Sequence, residues 1–148
     1  MIEPIDSIPT YGTPPTDFPI THRKAVYAII CADGKIAAVQ TPRGYFLPGG
    51  GIDPNETDVQ ALERELIEEL GWSISILNCI DSAYQYHYSE VQDKYFLTFA
   101  RFYRAAYVAI TSIPTEPDHT LVWLTPQEAQ SQLRFEYMQL AVQKCLSE

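Results

Sequence analysis

The sequence predicts an α+β domain, and three observations carry that expectation. Short runs rich in β-branched and aromatic residues, each bounded by turn residues, recur along most of the chain. One long helical repeat at residues 57–71 interrupts them, and a second helical region, broken once, follows residue 125. At 148 residues with a 46% hydrophobic fraction, the chain suits one domain with a sizeable core.

Residues 1–21 hold Pro4, Pro9, Pro14, Pro15 and Pro19 and read as a proline-rich extended arm with no element of its own. Its apolar residues (Ile2, Ile5, Ile8, Tyr11, Phe18 and Ile20) are expected to order it by docking on its own domain or on a second copy. That second route leaves a homodimer open. Residues 22–148 read as the folded domain. Residues 23–31 form an apolar strand, Asp33-Gly34 a hairpin turn, and residues 35–40 the returning strand. Residues 43–47 make a short strand that feeds Gly49-Gly50-Gly51. With Leu47-Pro48 ahead of it, this glycine run fits neither a regular strand nor a helix. It frees the backbone to turn sharply and to approach a phosphate or metal. Asp53-Pro54-Asn55 signals a turn, and asparagine tolerates the left-handed region.

Thr57 then serves as N-cap, with Gln60 completing a capping box, and Gly71 stops the helix as the C′ residue. Between them Val59, Leu62, Leu66 and Leu70 form one apolar stripe. After this helix, residues 73–82 and 83–88 read as two strands. Residues 93–109 read as a long aromatic strand with room for a bend, residues 111–119 as a loop, and residues 120–124 as a last strand. Thr125-Pro126 caps and starts a helix that breaks near Arg134 before residues 135–146 continue it.

The chemistry concentrates in residues 50–72, GGIDPNETDVQALERELIEELGW. Glu65, Glu68 and Glu69 fall at i, i+3 and i+4 and share a helix side, across an arc of about 100°. Carboxylates crowded this way repel one another unless a cation sits among them. Their oxygens are hard ligands, which suit Mg²⁺, Mn²⁺ or Ca²⁺ over zinc. No loop of EF-hand spacing is present, which sets a structural Ca²⁺ site aside. An isolated ERELIEE is more often a solvated helix face; the glycine loop at fixed distance ahead of it changes that reading.

The spacing Gly50, five residues, Glu56, seven residues, Arg64-Glu65-Leu66, one residue, Glu68-Glu69, one residue, Gly71-Trp72 resembles the Nudix box of the Nudix hydrolases. Trp72 stands where an aliphatic residue is more usual. Asn55 stands where many relatives carry glycine. The resemblance implies that residues 22–148 are a Nudix hydrolase domain, an α/β/α sandwich with a mixed β-sheet between helices. It implies a Mg²⁺ cofactor, with Mn²⁺ as the alternative, held by Glu65, Glu68, Glu69 and the Gly50 carbonyl. It further implies hydrolysis of a diphosphate bond in a nucleoside diphosphate linked to another moiety. Nucleoside triphosphates, dinucleoside polyphosphates and nucleotide sugars all remain open. A Nudix domain that binds a nucleotide-like metabolite without turnover is the rival. The pair Glu56 and Arg64 is expected to brace loop against helix as structural support.

Beyond the box, Arg43 precedes the glycine loop, where its guanidinium can fork onto a substrate phosphate; the alternative is an ordinary surface arginine. Tyr84, Tyr86 and Tyr88 share one strand face and can stack on a nucleobase, or belong to the core. His87, on the other face, reads as an ordinary histidine and not as a general base. Glu116 and Asp118, beside His119 in the loop before the last strand, are candidate catalytic acids by resemblance, and the choice between them stays open. A net charge of −9 argues against any sequence-independent grip on a nucleic-acid polymer. A small phosphorylated substrate remains compatible, because a metal supplies positive charge locally. No secretory signal and no span long enough for a bilayer is legible, and Cys31, Cys79 and Cys145 form no zinc or redox motif. These features set a cytoplasmic location with no membrane as the expectation.

Overall fold

A computed structural model describes residues 8–148. The start of the arm, with Ile2, Pro4 and Ile5, lies outside the described residues. The elements run β1 (Thr10–Tyr11), β2 (Ile20–Ala32), β3 (Lys35–Thr41), β4 (Gly44–Phe46), β5 (Gly49–Gly51), α1 (Asp58–Leu70), β6 (Trp72–Ser89), β7 (Lys94–Ile110), β8 (Thr120–Leu124), α2 (Pro126–Gln132) and α3 (Glu136–Leu146). The sheet has the order β1-β6-β7-β2-β3-β4, with β5 on β2 and β8 on β3. It is mixed: β1 pairs β6 and β2 pairs β7 in parallel, and the other pairings are antiparallel.

Both faces of the sheet are covered, which is why β2 reads as an unbroken apolar run from Ala25 to Ile30. Its side chains alternate between two cores. Val26, Ala28 and Ile30 join Leu62, Leu66 and Leu70 of α1 on one face. Ala25, Tyr27 and Ile29 join Tyr137, Met138, Ala141 and Val142 of α3 on the other. Helix, sheet and helix therefore form the expected sandwich. Each fully buried leucine or isoleucine here stabilises by about 1.5–3 kcal/mol.

The helix ends follow the local chemistry. Thr57 accepts from the Gln60 amide, Gln60 returns the bond, and Gly71 sits left-handed at φ 70. Thr125 and Glu128 make a second capping box around Pro126. The last helix breaks at 133–135 as expected.

Several expectations change. Thr10–Tyr11 is a strand: it pairs in parallel with Tyr84 and Gln85, and Tyr84 N donates to Pro9 O at 2.9 Å. The arm thus docks on its own domain. Residues 73–88 are one strand, kept continuous through register shifts at Ser73/Ile74, Ile76/Asn78 and Cys79/Asp81. At the expected break the ladder is regular, with Ser82 opposite Arg101 and Ala83 opposite Ala100; the bulges lie earlier in the strand. The glycine run is also a strand, since β5 pairs antiparallel with Ala25, Val26 and Tyr27. Only glycine permits this: a Cβ on Gly49, at φ +141, would lie 2.1 Å from Val26 O. Val59 drops out of the helix stripe and is exposed, while Ala61 takes a core place.

Candidate functional site

The glycine strand and the middle of α1 meet because β5 is laid across β2 and α1 packs under the same strands. Glu69 is 5% exposed and has both oxygens engaged. Gly49 N donates to its Oε1 at 2.7 Å, and its Oε2 lies 2.9 Å from His119 Nδ1. Burial pushes the Glu69 carboxyl up; the His119 and Gly49 contacts pull it back. The bond to Glu69 in turn raises His119. Glu65 lies directly against Gly50: a Cβ on Gly50 would fall 2.8 Å from its carboxylate. Burial, then the nearby Glu69 charge, pushes the Glu65 carboxyl up to about 7 despite Arg64.

Arg64 ties the loop to the helix. Nε and Nη2 donate to the two Glu56 oxygens at 2.8 and 2.9 Å, and Nη2 also donates to Gly51 O at 3.1 Å. This fork, with the Asp53 amide bond to Glu56, holds the Glu56 carboxyl down at about 2. Nη1 reaches Glu65 at 3.1 Å and Glu68 at 3.3 Å.

The donor set fits a hard cation. Glu65, Glu68 and Glu69 lie on one helix side, Glu65 lies against Gly50, and the burial and the Glu69 charge that push the Glu65 carboxyl up are both offset by a cation. Among the described residues no ready-made metal cage is present. Arg64 engages Glu65 and Glu68, and Glu69 points to Gly49 and His119.

Beside these groups opens a cavity of about 490 Å³. Gly49, Gly50, Glu69 and His119 line one side. Aromatic rings line the other: Phe46, His87, Phe96 and Phe135. Arg23, Arg43 and Arg134 also face it. None of these arginines has a carboxylate within ion-pair distance among the described residues. In a chain with 10 basic against 19 acidic residues, unpaired arginines gathered at one cavity favour an anionic ligand.

Two expected substrate residues do not reach this cavity. Tyr84 and Tyr86 project to the opposite face of β6, where Tyr84 packs on Phe99 at 4.9 Å. The period-2 alternation of the strand puts Gln85 and His87 on the cavity side instead. Tyr88 lies at the rim, bonded to Asp93. Glu116 is half-buried and near enough to raise both Glu69 and His119, whereas Asp118 is exposed and raises His119 alone of the two. Sequence reasoning assigned no role to Arg23, His87, His119 or Arg134. Only for His119 was a signal present, its place in the acidic loop.

The family model for the NUDIX domain matches residues 21–141. The chain belongs to the Nudix family. A CTP pyrophosphohydrolase of Escherichia coli (strain K12) is 31% identical over 112 residues, covering 72% of this chain and 78% of that protein. A Nudix hydrolase from Nitrosomonas europaea shares the fold at TM-score 0.68 and 20% identity, over 86% of this chain and 90% of that one. The solution structure of the E. coli ORF135 protein matches at TM-score 0.59 and 25% identity, over 98% of this chain and 94% of that one. The protein is a Nudix hydrolase of the pyrophosphohydrolase type, and Nudix hydrolases generally use divalent cations. Among the described residues no helix is long and apolar enough to cross a membrane.

Proposed function

We propose that the protein hydrolyses the diphosphate bond of a nucleoside triphosphate in a Mg²⁺-dependent reaction, with release of pyrophosphate and the nucleoside monophosphate. The observation that carries this reading is the cavity that joins Glu69 and the glycine strand to an aromatic wall, with arginines free of carboxylate partners among the described residues around it. The activity named for the E. coli relative supports the same choice among the diphosphate classes.

Glu65, Glu68, Glu69 and the Gly50 carbonyl would hold the cation. When bound, it supplies charge neutralisation at the diphosphate and acidifies a water. The remaining work falls to the chain. Arg64 keeps the glycine strand against α1, so that diphosphate and carboxylates meet in one geometry. His119 and the Gly49 amide fix the Glu69 carboxylate in orientation. Arg23 and Arg43 offer guanidinium donors to the phosphate oxygens. A carboxylate from Glu65, Glu68, Glu69, Glu116 and Asp118 takes the proton of the attacking water. That water attacks phosphorus, and the anhydride P–O bond breaks. Phosphoryl transfer asks for positioning and electrostatics more than covalent chemistry, and these groups provide both.

The test is a turnover panel of nucleoside triphosphates, dinucleoside polyphosphates and nucleotide sugars, with Mg²⁺ and with EDTA. Turnover of triphosphates with Mg²⁺, abolished by EDTA, is expected. Equal rates in EDTA would sink the metal-dependent reading, and faster turnover of a nucleotide sugar would sink the choice of substrate.

A further inference from the structure

The cavity wall contributed by β6 and β7 carries a histidine that hydrolysis leaves without a task. His87 stacks on Phe96, with ring centroids 5.6 Å apart and planes at 19°, and lies tilted against Phe135 at 4.9 Å. Its Nε2 sits 2.9 Å from Thr98 Oγ1. Thr98 is fully buried, so its hydroxyl is a fixed anchor. Two flat neighbours and one hydrogen bond leave the imidazole no rotational freedom. The second ring nitrogen, Nδ1, has no protein partner among the described residues and is not sealed from solvent.

Other histidine roles fit poorly. Burial, then the Arg23 and Arg134 charges, holds the ring down at about 4, so it is neutral at working pH. A neutral ring brings no charge to phosphate binding, which the two arginines already supply. Neither a carboxylate nor a backbone carbonyl orients it among the described residues, the protein partners that usually orient a metal-ligating histidine. What remains is a rigid, neutral group with one nitrogen to offer, set in an aromatic box. Such a group suits the edge of a planar heterocycle.

Its position across the sheet agrees. On one face, His87 of β6 is followed by Thr98 of β7, by Arg23 of β2 in register with Thr98, and then by β5, which pairs the other edge of β2. His87 and the Gly49-Gly50 backbone line one cavity, and Arg23 lies between them along β2, after Thr21 in the register of His87 and before Val26 opposite Gly50. That arrangement offers one end of the cavity to a base and the other to its diphosphate, with Arg23 between.

We propose that His87, anchored by Thr98, is the specificity-determining residue that reads the hydrogen-bonding edge of the nucleobase, in the box bounded by Phe46, Phe96 and Phe135. This rests on the nucleotide reading above and goes beyond it to the choice of base. The correct base satisfies the fixed imidazole nitrogen. A wrong base leaves that nitrogen, or its own edge, desolvated and unpaired.

The experiment measures equilibrium binding of CTP, UTP, ATP and GTP in EDTA, and steady-state turnover of the same four with Mg²⁺. It uses the wild type, His87→Phe, His87→Asn and Thr98→Val, each checked for folding by its melting curve. The wild type should bind one base preferentially. His87→Phe keeps a flat ring and removes both nitrogens. It should shrink the ratio of best to worst Kd by about 5- to 100-fold, through weaker binding of the preferred base. KM should rise accordingly, with kcat within about twofold. His87→Asn should restore part of the ratio, and Thr98→Val should lower it in the same direction. Where His87→Phe fails to fold, the other two variants are read by the same criterion.

Equal weakening for all four bases, or an unchanged ratio in folded variants, overturns the proposal. So does a wild type that binds no nucleotide or binds all four alike. Selective binding that the variants abolish, without turnover of any nucleotide, would sink the hydrolytic reading and leave this one standing. Turnover whose base ratio the variants do not change would do the reverse.

Discussion

Adjacent glycines in β5 should respond to the same substitution in opposite ways. Gly49→Ala places a Cβ 2.1 Å from Val26 O and 2.7 Å from Tyr27 Cα, both backbone atoms of a central strand, at φ +141. Neither neighbour can yield cheaply. The backbone strain costs about 1–3 kcal/mol and the steric overlap a further 1–3 kcal/mol. Against a total stability of roughly 5–15 kcal/mol, a loss of about 2–6 kcal/mol lowers the melting temperature by roughly 5–20 °C. Gly50→Ala differs. Gly50 is outside the left-handed region, and its Cβ would meet only the mobile end of Glu65 at 2.8 Å. The carboxylate can swing aside, and the lost chain entropy of glycine offsets the push by about 0.4–1 kcal/mol. Stability should stay within about 1 kcal/mol of wild type. Turnover should fall by about tenfold or more, because a displacement of this size at a proposed cation-binding carboxylate is enough to spoil its geometry. Thermal denaturation and steady-state hydrolysis on both variants make the assay. A Gly49→Ala protein as stable as wild type, or a Gly50→Ala protein as active, would refute the reasoning.

His119→Ala should lower kcat by about 10- to 100-fold, as expected for a group that orients Glu69 if that carboxylate is the cation ligand proposed above, while exposed Asp118→Ala should do much less. Kinetics on the pair checks this, and the reverse order would reassign the loop. Arg64→Ala should lower both melting temperature and turnover, since it frees the Gly51 carbonyl and the Glu56 carboxylate together. A fully stable but inactive variant would instead indicate contact with the substrate. His87 titrates at about 4 in the fold, below its ordinary 6.5. Above pH 6.5 the ring is neutral in both states. As pH falls from 6.5 to 4 the unfolded chain takes up the proton first, so stability is lost across that window. The loss, discounted for partial exposure, is about 1–2 kcal/mol. The stability difference between wild type and His87→Asn, followed by denaturant titration from pH 7 to 4, should shift against wild type by that amount. Removal of residues 1–12 should destabilise the β6 edge without changing the mass in solution, because Thr10–Tyr11 pairs within its own domain; a change in oligomeric state would restore the subunit-bridging role.

Much of the fold and part of the site are legible in the amino-acid sequence, and the legible parts share a cause. Helix caps at Thr57, Gly71 and Thr125 satisfy backbone groups within a few residues, so their chemistry is written locally. The spacing of Glu65, Glu68 and Glu69 puts them on one helix side whatever surrounds the helix. The glycine run announces close backbone approach, although not that it pairs as a strand, because the Val26 carbonyl it must clear lies far away in the chain. Alternation in residues 83–88 separates two faces and is silent on which one meets the cavity. That choice followed from α3, whose Tyr137 and neighbouring Phe135 cover the odd-numbered side and bring His87 inward. Thr10–Tyr11 became a strand because β6 offered a free edge opposite Tyr84, a partner no local pattern can name. Arg23 and His119 gained their places in the same way, by strand register and by a loop returning to Glu69. Local hydrogen bonding and side-chain period were determined by the sequence alone. Partners distant in the chain, and the face each element turns to them, were decided only when the sheet and its two helical layers packed together.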